Sequence, residues 1–254
     1  MKRFLFIFIS LILVFANLNT VYSASWCCKR TKDHSQPPLS DDLKFVSPYS
    51  LYWKDENHSE ICSDEKVIYL TFDAGYENGN VEKILNVLNE ENVQGAFFIL
   101  ENLILKNEDL VKKMIDSGHI VANHTSTHKD VSKISQEEMI CEIKNLEELY
   151  KSTYGKEMPK YFRPPEGKFN EENLRWLSEN GYKTVMWSFA YADWDNRNQP
   201  SNEYAYKKII ENVHNGEVML LHPNSKTNAD ILQRVIKDLK AQGFRFGTLD
   251  ELCK

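Results

Sequence analysis

Segments with the pattern of buried strands alternate with amphipathic helical segments along most of this chain. From Val67 onward, VIYLTF predicts a strand, NVEKILNVLNEEN predicts a helix with one apolar face, and VQGAFFIL predicts the next strand. The alternation continues to a final FRFGTL strand. Strands joined by helices form parallel sheets, because each helical crossover returns the chain to the same edge. The number of units predicts an α/β fold and favours a (β/α) barrel, complete or incomplete, over an open sheet.

The N-terminus combines a basic start with an apolar run. Lys2 and Arg3 precede FLFIFISLILVFA, and small residues follow as far as Ser23. This pattern predicts a signal peptide over residues 1–23. An uncleaved membrane anchor is the alternative, although the apolar run is shorter than the roughly 20 residues that a span needs. Residues 24–66 are polar and irregular, so we expect an N-terminal extension that packs on the domain behind it.

The composition excludes some partners. Lys and Arg number 31 against 37 Asp and Glu, a net charge of −6, which becomes −8 once the basic residues of the signal segment are removed. An acidic chain is a poor candidate for nucleic acid, whose phosphates attract basic surfaces. The five cysteines have no zinc spacing and do not resemble a disulfide framework. We expect membrane contact only through an uncleaved signal segment, and no protein partner follows from the sequence.

Chemically active side chains follow the predicted strands at their carboxyl ends. In a barrel these ends face the active-site mouth. The residues are Asp73, His124, Arg163, Asp193 and His222. Each one alone has an ordinary interpretation, such as a turn former, an exposed loop cation or a core histidine. Their occurrence at the same end of successive strands favours a shared site.

The HTSTH motif places His124 and His128 four residues apart. This separation brings two imidazoles to one side of a helical turn, where both can hold one cation. A surface turn with two unrelated histidines is the alternative. A cation held by neutral imidazoles would polarise a carbonyl group and acidify a water molecule.

The other residues suit amide hydrolysis. Asp73 would take the proton of the attacking water, and His222 would protonate the leaving nitrogen, since an amide anion is too basic to depart. Arg163 would keep Asp73 ionised by charge pairing, and Asp193 would orient and tune His222. A small apolar pocket for a methyl group would be walled by Trp194 and Leu220.

Five motifs, TFDAG, HTSTH, RPPEG, ADW and LLH in this order, resemble those of the polysaccharide deacetylases, carbohydrate esterase family 4 with the NodB-homology fold. The likeness covers residues 67–252 as the deacetylase domain. The likeness implies a distorted (β/α) barrel. It also implies that the residues of the two preceding paragraphs have the roles in metal binding and amide hydrolysis that are given there.

Longer stretches, TFDAGYENG, RPPEGKF, SFAYADWDNRNQ and YWKDENHS, are similar to the delta-lactam-biosynthetic branch of spore cortex. This resemblance implies a secreted enzyme that removes acetyl groups from N-acetylmuramic acid in peptidoglycan glycan strands and so prepares muramic delta-lactam. It also implies an extracytoplasmic location, in the space between forespore and mother cell.

One position departs from the family pattern. The first motif of the family usually reads TFDDG, with the second aspartate as third metal ligand, and here that place is Ala74. A divalent metal, with zinc the expected ion, would therefore rest on His124, His128 and water or another group. Glu77 is a candidate replacement, although a capping or surface role is the preferred interpretation. Because residue 74 ends a strand, we expect it to face the mouth and to tolerate an aspartate.

The alanine also leaves other functions open. Within the same chemistry, the alternatives are a deacetylase of N-acetylglucosamine polymers or an esterase acting on acetylated xylan. A non-catalytic glycan-binding protein is the alternative from a different class. The joint presence of Asp73, Arg163, Asp193 and His222 favours an enzyme.

Overall fold

The computed structural model describes residues 23–31, 33–60 and 64–254. Residues 1–22, and with them almost all of the predicted signal segment, lie outside these ranges, as does Cys62, so the signal peptide stays a prediction. Within the described ranges, no helix is both long and apolar enough to cross a membrane. The described cysteines form no disulfide with one another.

Most strands of the described chain belong to one parallel sheet. The strands are β1 (Ser23–Ser25), β2 (Leu51–Tyr52), β3 (Lys66–Ala74), β4 (Ala96–Ile99), β5 (Ile120–Asn123), β6 (Tyr161–Phe162), β7 (Lys168–Asn170), β8 (Lys183–Val185), β9 (Glu217–Leu221) and β10 (Phe244–Phe246). The sheet has the order β10-β3-β4-β5-β6-β8-β2, with β9 paired to β3. Its pairings are parallel, as the strand and helix alternation predicts.

This sheet curls toward closure. Strand β9 pairs with β3 over residues 68–72, and a bridge between Phe189 and Met219 joins the segment after β8 to β9. The ring therefore runs β3, β4, β5, β6, β8, β9 and back to β3, with its weakest junction between β8 and β9. The predicted distorted, incomplete (β/α) barrel is confirmed.

Amphipathic helices cover the outside of the curled sheet. They are α1 (Val81–Glu90), α2 (Glu101–Lys106), α3 (Glu108–Asp116), α4 (Gln136–Tyr154), α5 (Glu171–Glu179), α6 (Asn202–Ile210), α7 (Lys226–Ala241) and the short α8 (Leu249–Leu252). Helix α1 illustrates the packing, because its buried residues recur at helical spacing on one face. These residues are Val81, Ile84, Leu85 and Leu88. They enter a large apolar cluster between the helices and the sheet.

Strand β3 sends alternate side chains to opposite faces, as the pleat of a strand requires. The residues that pack into the large outer cluster are Ile68, Leu70, Phe72 and Ala74. Val67 and Tyr69 instead pack into a second cluster inside the barrel. Thr71 and Asp73 continue this inner face toward the carboxyl end of the strand. The pleat therefore separates Asp73 from Ala74, although the two are neighbours in sequence.

Inside the barrel, an apolar layer supports a polar one. Phe98 of β4 belongs to the inner cluster, and Leu249 and Leu252 of α8 join the same cluster. The guanidinium carbon of Arg163 lies 4.2 Å from the centroid of the Phe98 ring. The buried apolar interior is therefore the platform on which the polar residues at the carboxyl ends of the strands rest.

The segment before β3 packs on β7, α5 and the residues after β8. Strand β1 pairs antiparallel with β7, and the ring centroids of Trp26 and Trp53 are 5.4 Å apart in an edge-to-face arrangement. The indole nitrogen of Trp26 donates to the carbonyl oxygen of Trp187 at 2.9 Å. These contacts tie the segment to the barrel, while the domain boundaries given above stay predictions.

We expect Phe98→Ala to lower the free energy of unfolding by about 3–5 kcal/mol, because it empties a fully buried site beneath Arg163. Urea unfolding followed by tryptophan fluorescence measures the change. Leu105→Ala is the matched control, since Leu105 is 65% exposed. Equal stability of the two variants would contradict the role of Phe98 as a platform.

Candidate active site

A cavity of about 700 Å³ opens at the carboxyl ends of the strands. Its walls come mainly from the segments that follow β3, β5, β6, β8 and β9. The lining residues used below are Asp73, Tyr76, His124, His128, Glu166, Trp187, Trp194, Leu220, His222 and Asn224. Arg163 and Asp193 lie behind this surface and bind Asp73 and His222. The structure thus brings all the predicted site residues together.

Arg163 is a fully buried cation that joins three parts of the barrel. Its Nη1 atom donates to Asp73 Oδ1 at 2.8 Å, and its Nη2 atom donates to Thr71 Oγ1 at 2.9 Å. The Nε atom donates to the carbonyl oxygen of Val185 at 2.8 Å. Arg163 is 0% exposed, so these bonds replace the hydration that the charge has lost. The guanidinium therefore fixes the position of the Asp73 carboxylate.

The Asp73 carboxylate is held in its ionised form. Burial acts to raise its pKa, but the positive charge of Arg163, together with the imidazoles of His124 and His222, outweighs burial and holds the pKa below its usual value. The side chain keeps 11% exposure, toward the cavity. Asp73 is thus an anchored proton acceptor that faces the space where a substrate would bind.

His222 forms the opposite kind of pair. Its Nδ1 atom lies 2.7 Å from Asp193 Oδ1, and its backbone N–H donates to Asp193 Oδ2 at 2.9 Å. Asn228 of α7 donates a further hydrogen bond to Asp193 Oδ2 at 2.6 Å. Burial acts to lower the pKa of His222, yet the negative charges of Asp193 and Asp73 raise it above the usual value. With Nδ1–H bound to Asp193, the Nε2–H of the imidazolium is the available proton donor.

The two histidines of HTSTH do not share a helical turn as predicted. Residues 124–128 form a loop, in which Thr125 (φ 71°) and His128 (φ 63°) are left-handed. The Asn123 side chain accepts from the N–H of Thr125 at 2.8 Å, and the Thr125 hydroxyl accepts from the N–H of His128 at 3.0 Å. Such side-chain bonds to the backbone compete with helix formation. The loop still brings the imidazole centroids of His124 and His128 to 5.1 Å.

His124 is a neutral imidazole. Its Nδ1 atom lies 2.8 Å from the carbonyl oxygen of Arg163, which can only accept, so Nδ1 carries the proton. Burial lowers the pKa of His124 to about 4, although Asp73 acts in the opposite direction. Its Nε2 lone pair faces Asp73 Oδ2 at 3.6 Å. Neutral imidazole with a free nitrogen is the form that binds metals.

The surroundings of His124 fit a metal ion only in part. Within the ranges that the structure describes, no group of three His, Cys, Asp or Glu side chains is arranged to hold one. Ala74 is 1% exposed and packs in the outer apolar cluster, so the expectation that it faces the mouth is wrong. The Glu77 carboxylate accepts from the N–H groups of Gly79 and Glu82, which is the preferred capping role.

The predicted apolar pocket is divided between two positions. Leu220 is 4% exposed and forms a deep wall of the cavity. Trp194 is 60% exposed, with its ring centroid 6.2 Å from the His222 imidazole. Leu220 is therefore placed to contact a methyl group, whereas Trp194 lies at the rim.

Several residues of the site were not predicted from the sequence. They are Thr71, Tyr76, Glu166, Asn224 and Asn228. Thr71 precedes Asp73 by two residues, so the period of the strand was a usable signal for it. The others lie in loops or at the start of α7, where no periodic pattern indicates the direction of a side chain.

We expect Asp193→Asn to shift the pH profile. His222 must be protonated to act as an acid, so activity is present below its pKa and is lost as the pH rises through that pKa. Asp193 and Asp73 raise this pKa, whereas burial and Arg163 lower it. Removing the charge of Asp193 therefore moves the alkaline limb of kcat to lower pH for hydrolysis of an N-acetyl amide. Asp195→Asn, at a half-exposed carboxylate, is the matched control. An alkaline limb that stays in place would contradict the acid role of His222.

The sequence is similar to known peptidoglycan deacetylases. The family model described as polysaccharide deacetylase matches residues 60–185. The peptidoglycan-N-acetylmuramic acid deacetylase PdaA of Bacillus subtilis is 38% identical over 230 residues, 90% of this chain and 85% of that protein. A peptidoglycan-N-acetylglucosamine deacetylase of Bacillus cereus is 32% identical over 217 residues, 84% of this chain and 78% of that protein.

Solved structures agree with these sequence relationships. The structure of Bacillus subtilis PdaA, a family 4 carbohydrate esterase, superposes with a TM-score of 0.84 at 36% identity, covering 91% of this chain and 96% of that one. A family 4 pseudoenzyme from Bacillus anthracis has a TM-score of 0.68 at 25% identity, covering 75% of this chain and 66% of that one. From the barrel, the arrangement of its site and these relationships, we conclude that the chain belongs to the polysaccharide deacetylases, the hydrolases of carbohydrate esterase family 4.

Proposed function

We propose that this deacetylase removes the acetyl group from N-acetylmuramic acid residues of peptidoglycan and so prepares muramic delta-lactam in spore cortex. The observation that carries the chemistry is the pair of oppositely tuned groups on one cavity, Asp73 held by Arg163 and His222 held by Asp193. The muramyl substrate is supported by the similarity to PdaA, which extends over 90% of the chain. The delta-lactam and sporulation role is supported by the motif stretches described above.

The proposed reaction uses the two pairs in sequence. Asp73 accepts a proton from water as the water oxygen bonds to the acetyl carbonyl carbon. His222 then gives its Nε2 proton to the amide nitrogen as the C–N bond breaks, releasing acetate and the amine. The Leu220 side chain would contact the acetyl methyl group. Each step leaves a charge partner in place, because Arg163 and Asp193 stay bound throughout.

A divalent metal is part of the proposal, with zinc as the first ion to test. Family 4 deacetylases are metal-dependent, and His124 and His128 would be the protein ligands here. A bound ion would polarise the acetyl carbonyl group and acidify the attacking water. With two imidazoles in place of two imidazoles and a carboxylate, we expect weaker binding than in a complete three-ligand site.

Two alternatives have observations in their favour. The similarity to the Bacillus cereus protein favours an N-acetylglucosamine substrate, and acetylated xylan is a further candidate within the same chemistry. Ala74 and the similarity to a family 4 pseudoenzyme favour a non-catalytic, glycan-binding protein. The intact bonds of Arg163 to Asp73 and of Asp193 to His222 argue against a non-catalytic protein, because a site without catalytic activity does not need them.

The proposed location is extracytoplasmic, in the space between forespore and mother cell. It is supported by the predicted signal segment and by the position of cortex peptidoglycan. Glycan strands are the proposed binding partner, and an uncleaved signal segment would add membrane contact.

Peptide-free glycan strands test the substrate. We expect wild-type protein to release acetate, with mass spectra showing acetyl loss from muramyl residues. Asp73→Asn should lower the rate by about 10² to 10⁴-fold, since an amide cannot accept the proton of water. The exposed Asp42→Asn is the matched control. Acetyl loss confined to glucosamine would refute the muramyl assignment, and full activity of Asp73→Asn would remove Asp73 from the mechanism.

Ala74→Asp tests the metal site and the strand face together. Because the methyl group of Ala74 is buried among apolar side chains, a carboxylate there should lower the free energy of unfolding by about 2 kcal/mol or more. Thermal unfolding of chelator-treated protein measures the loss, and Ala74→Val separates volume from charge. If zinc restores the stability of Ala74→Asp and binds it stoichiometrically, the carboxylate has reached the cavity and our placement of position 74 fails.

A further inference from the structure

The rim of the cavity carries an exposed tyrosine held by two loops. Tyr76, in the loop after β3, is 43% exposed and lines the cavity. Its hydroxyl oxygen accepts from the side-chain amide of Asn224 at 2.7 Å and from that of Asn196 at 2.5 Å. Asn224 belongs to the loop after β9, and Asn196 belongs to the loop before α6. The phenol thus joins three segments of the rim.

These two bonds determine what the Tyr76 hydroxyl offers to a ligand. A phenol oxygen accepts through its lone pairs and donates one proton. Both amides donate to the lone pairs of the phenol oxygen. Among the residues that the structure describes, no group accepts the proton of this hydroxyl. Each amide nitrogen also carries a second N–H. This side of the rim therefore presents hydrogen-bond donors.

The opposite side of the rim presents a carboxylate. Glu166 follows β6, and in the ring β3, β4, β5, β6, β8, β9 strand β6 lies three positions from β3 in either direction. The Glu166 side chain is 53% exposed at the cavity and pairs with Lys168, which also faces Asp130 at 3.7 Å. Asp130 is paired in addition with Lys133 at 3.2 Å, so the charges of this group balance, but the carboxylate of Glu166 is the member that lines the cavity. An anionic substituent is therefore repelled from the Glu166 side and stabilised on the Tyr76 side.

We propose that Tyr76 is a specificity-determining residue that donates a hydrogen bond to the lactyl carboxylate of the muramyl substrate, which is bound with this carboxylate toward β3 and away from Glu166. This inference rests on the proposed muramyl function. Hydrogen bonds to an ionised acceptor are stronger than those between neutral groups, so the contact favours muramyl residues whose carboxylate is free of peptide. Tyr76 takes no part in the bond-making steps.

Two glycan substrates that differ at one group test the contact. One is the peptide-free strand with free lactyl carboxylates, and the other is the same strand with those carboxylates converted to methylamides. We expect Tyr76→Phe to lower kcat/KM on the free-carboxylate strand by about tenfold to a hundredfold, chiefly through a higher KM. On the methylamide strand we expect little change. The preference of the enzyme for the free-carboxylate strand, measured as the ratio of its kcat/KM to that of the methylamide strand, should therefore fall in Tyr76→Phe.

The control is Tyr204→Phe, because Tyr204 is 57% exposed on α6 and does not line the cavity. Thermal unfolding of both variants identifies any loss of fold. An equal effect of Tyr76→Phe on both strands, or no effect on either, overturns the contact. The contact is also overturned if Glu166→Gln changes the ratio of the two kcat/KM values and Tyr76→Phe does not, since the lactyl carboxylate would then face β6. If wild-type protein deacetylates neither strand, the muramyl function itself fails, and this contact fails with it.

Discussion

The buried bond between Arg163 and Asp73 is the interaction on which both fold and site depend. A guanidinium at 0% exposure is destabilising unless every donor finds an acceptor. Here β3 supplies Asp73 and Thr71, the residues at the end of β8 supply carbonyl oxygens, and β4 supplies the face of Phe98. The charge therefore connects strands on opposite sides of the barrel. Its position fixes the Asp73 carboxylate as a consequence of closing the fold.

The two charged pairs of the site differ in which member faces the cavity. In one pair the cation is buried behind and the carboxylate is presented, so the carboxylate stays ionised. In the other, Asp193 is buried behind and His222 is presented, so the imidazole stays protonated over a wider pH range. A hydrolase of amides needs one proton acceptor and one proton donor at the same time. The barrel presents one group of each kind to the cavity and buries the charge partner of each behind it.

Ala74 shows how strand geometry limits a site. Its backbone lies beside that of Asp73, yet the pleat turns its side chain into the outer apolar cluster. The two histidines after β5 both line the cavity, without a third ligand on the described chain. The rim is equally uneven, with donors around Tyr76 and a carboxylate at Glu166. The proposed metal affinity and the proposed substrate orientation therefore both depend on which face each residue occupies.

The sequence by itself determined the class of fold and most of the site. Alternating strand and helix patterns require a parallel sheet, and the carboxyl ends of parallel strands meet at one edge, so Asp73, His124, Arg163 and His222 had to converge. The left-handed loop of HTSTH arises from local hydrogen bonds, and the outward face of residue 74 follows from the strand pleat. Only the tertiary structure decided the rest. The support of Asp193 by Asn228 and the packing of Arg163 on Phe98 depend on contacts between segments far apart in sequence. Such contacts have no local period, and therefore no pattern along the chain predicts them.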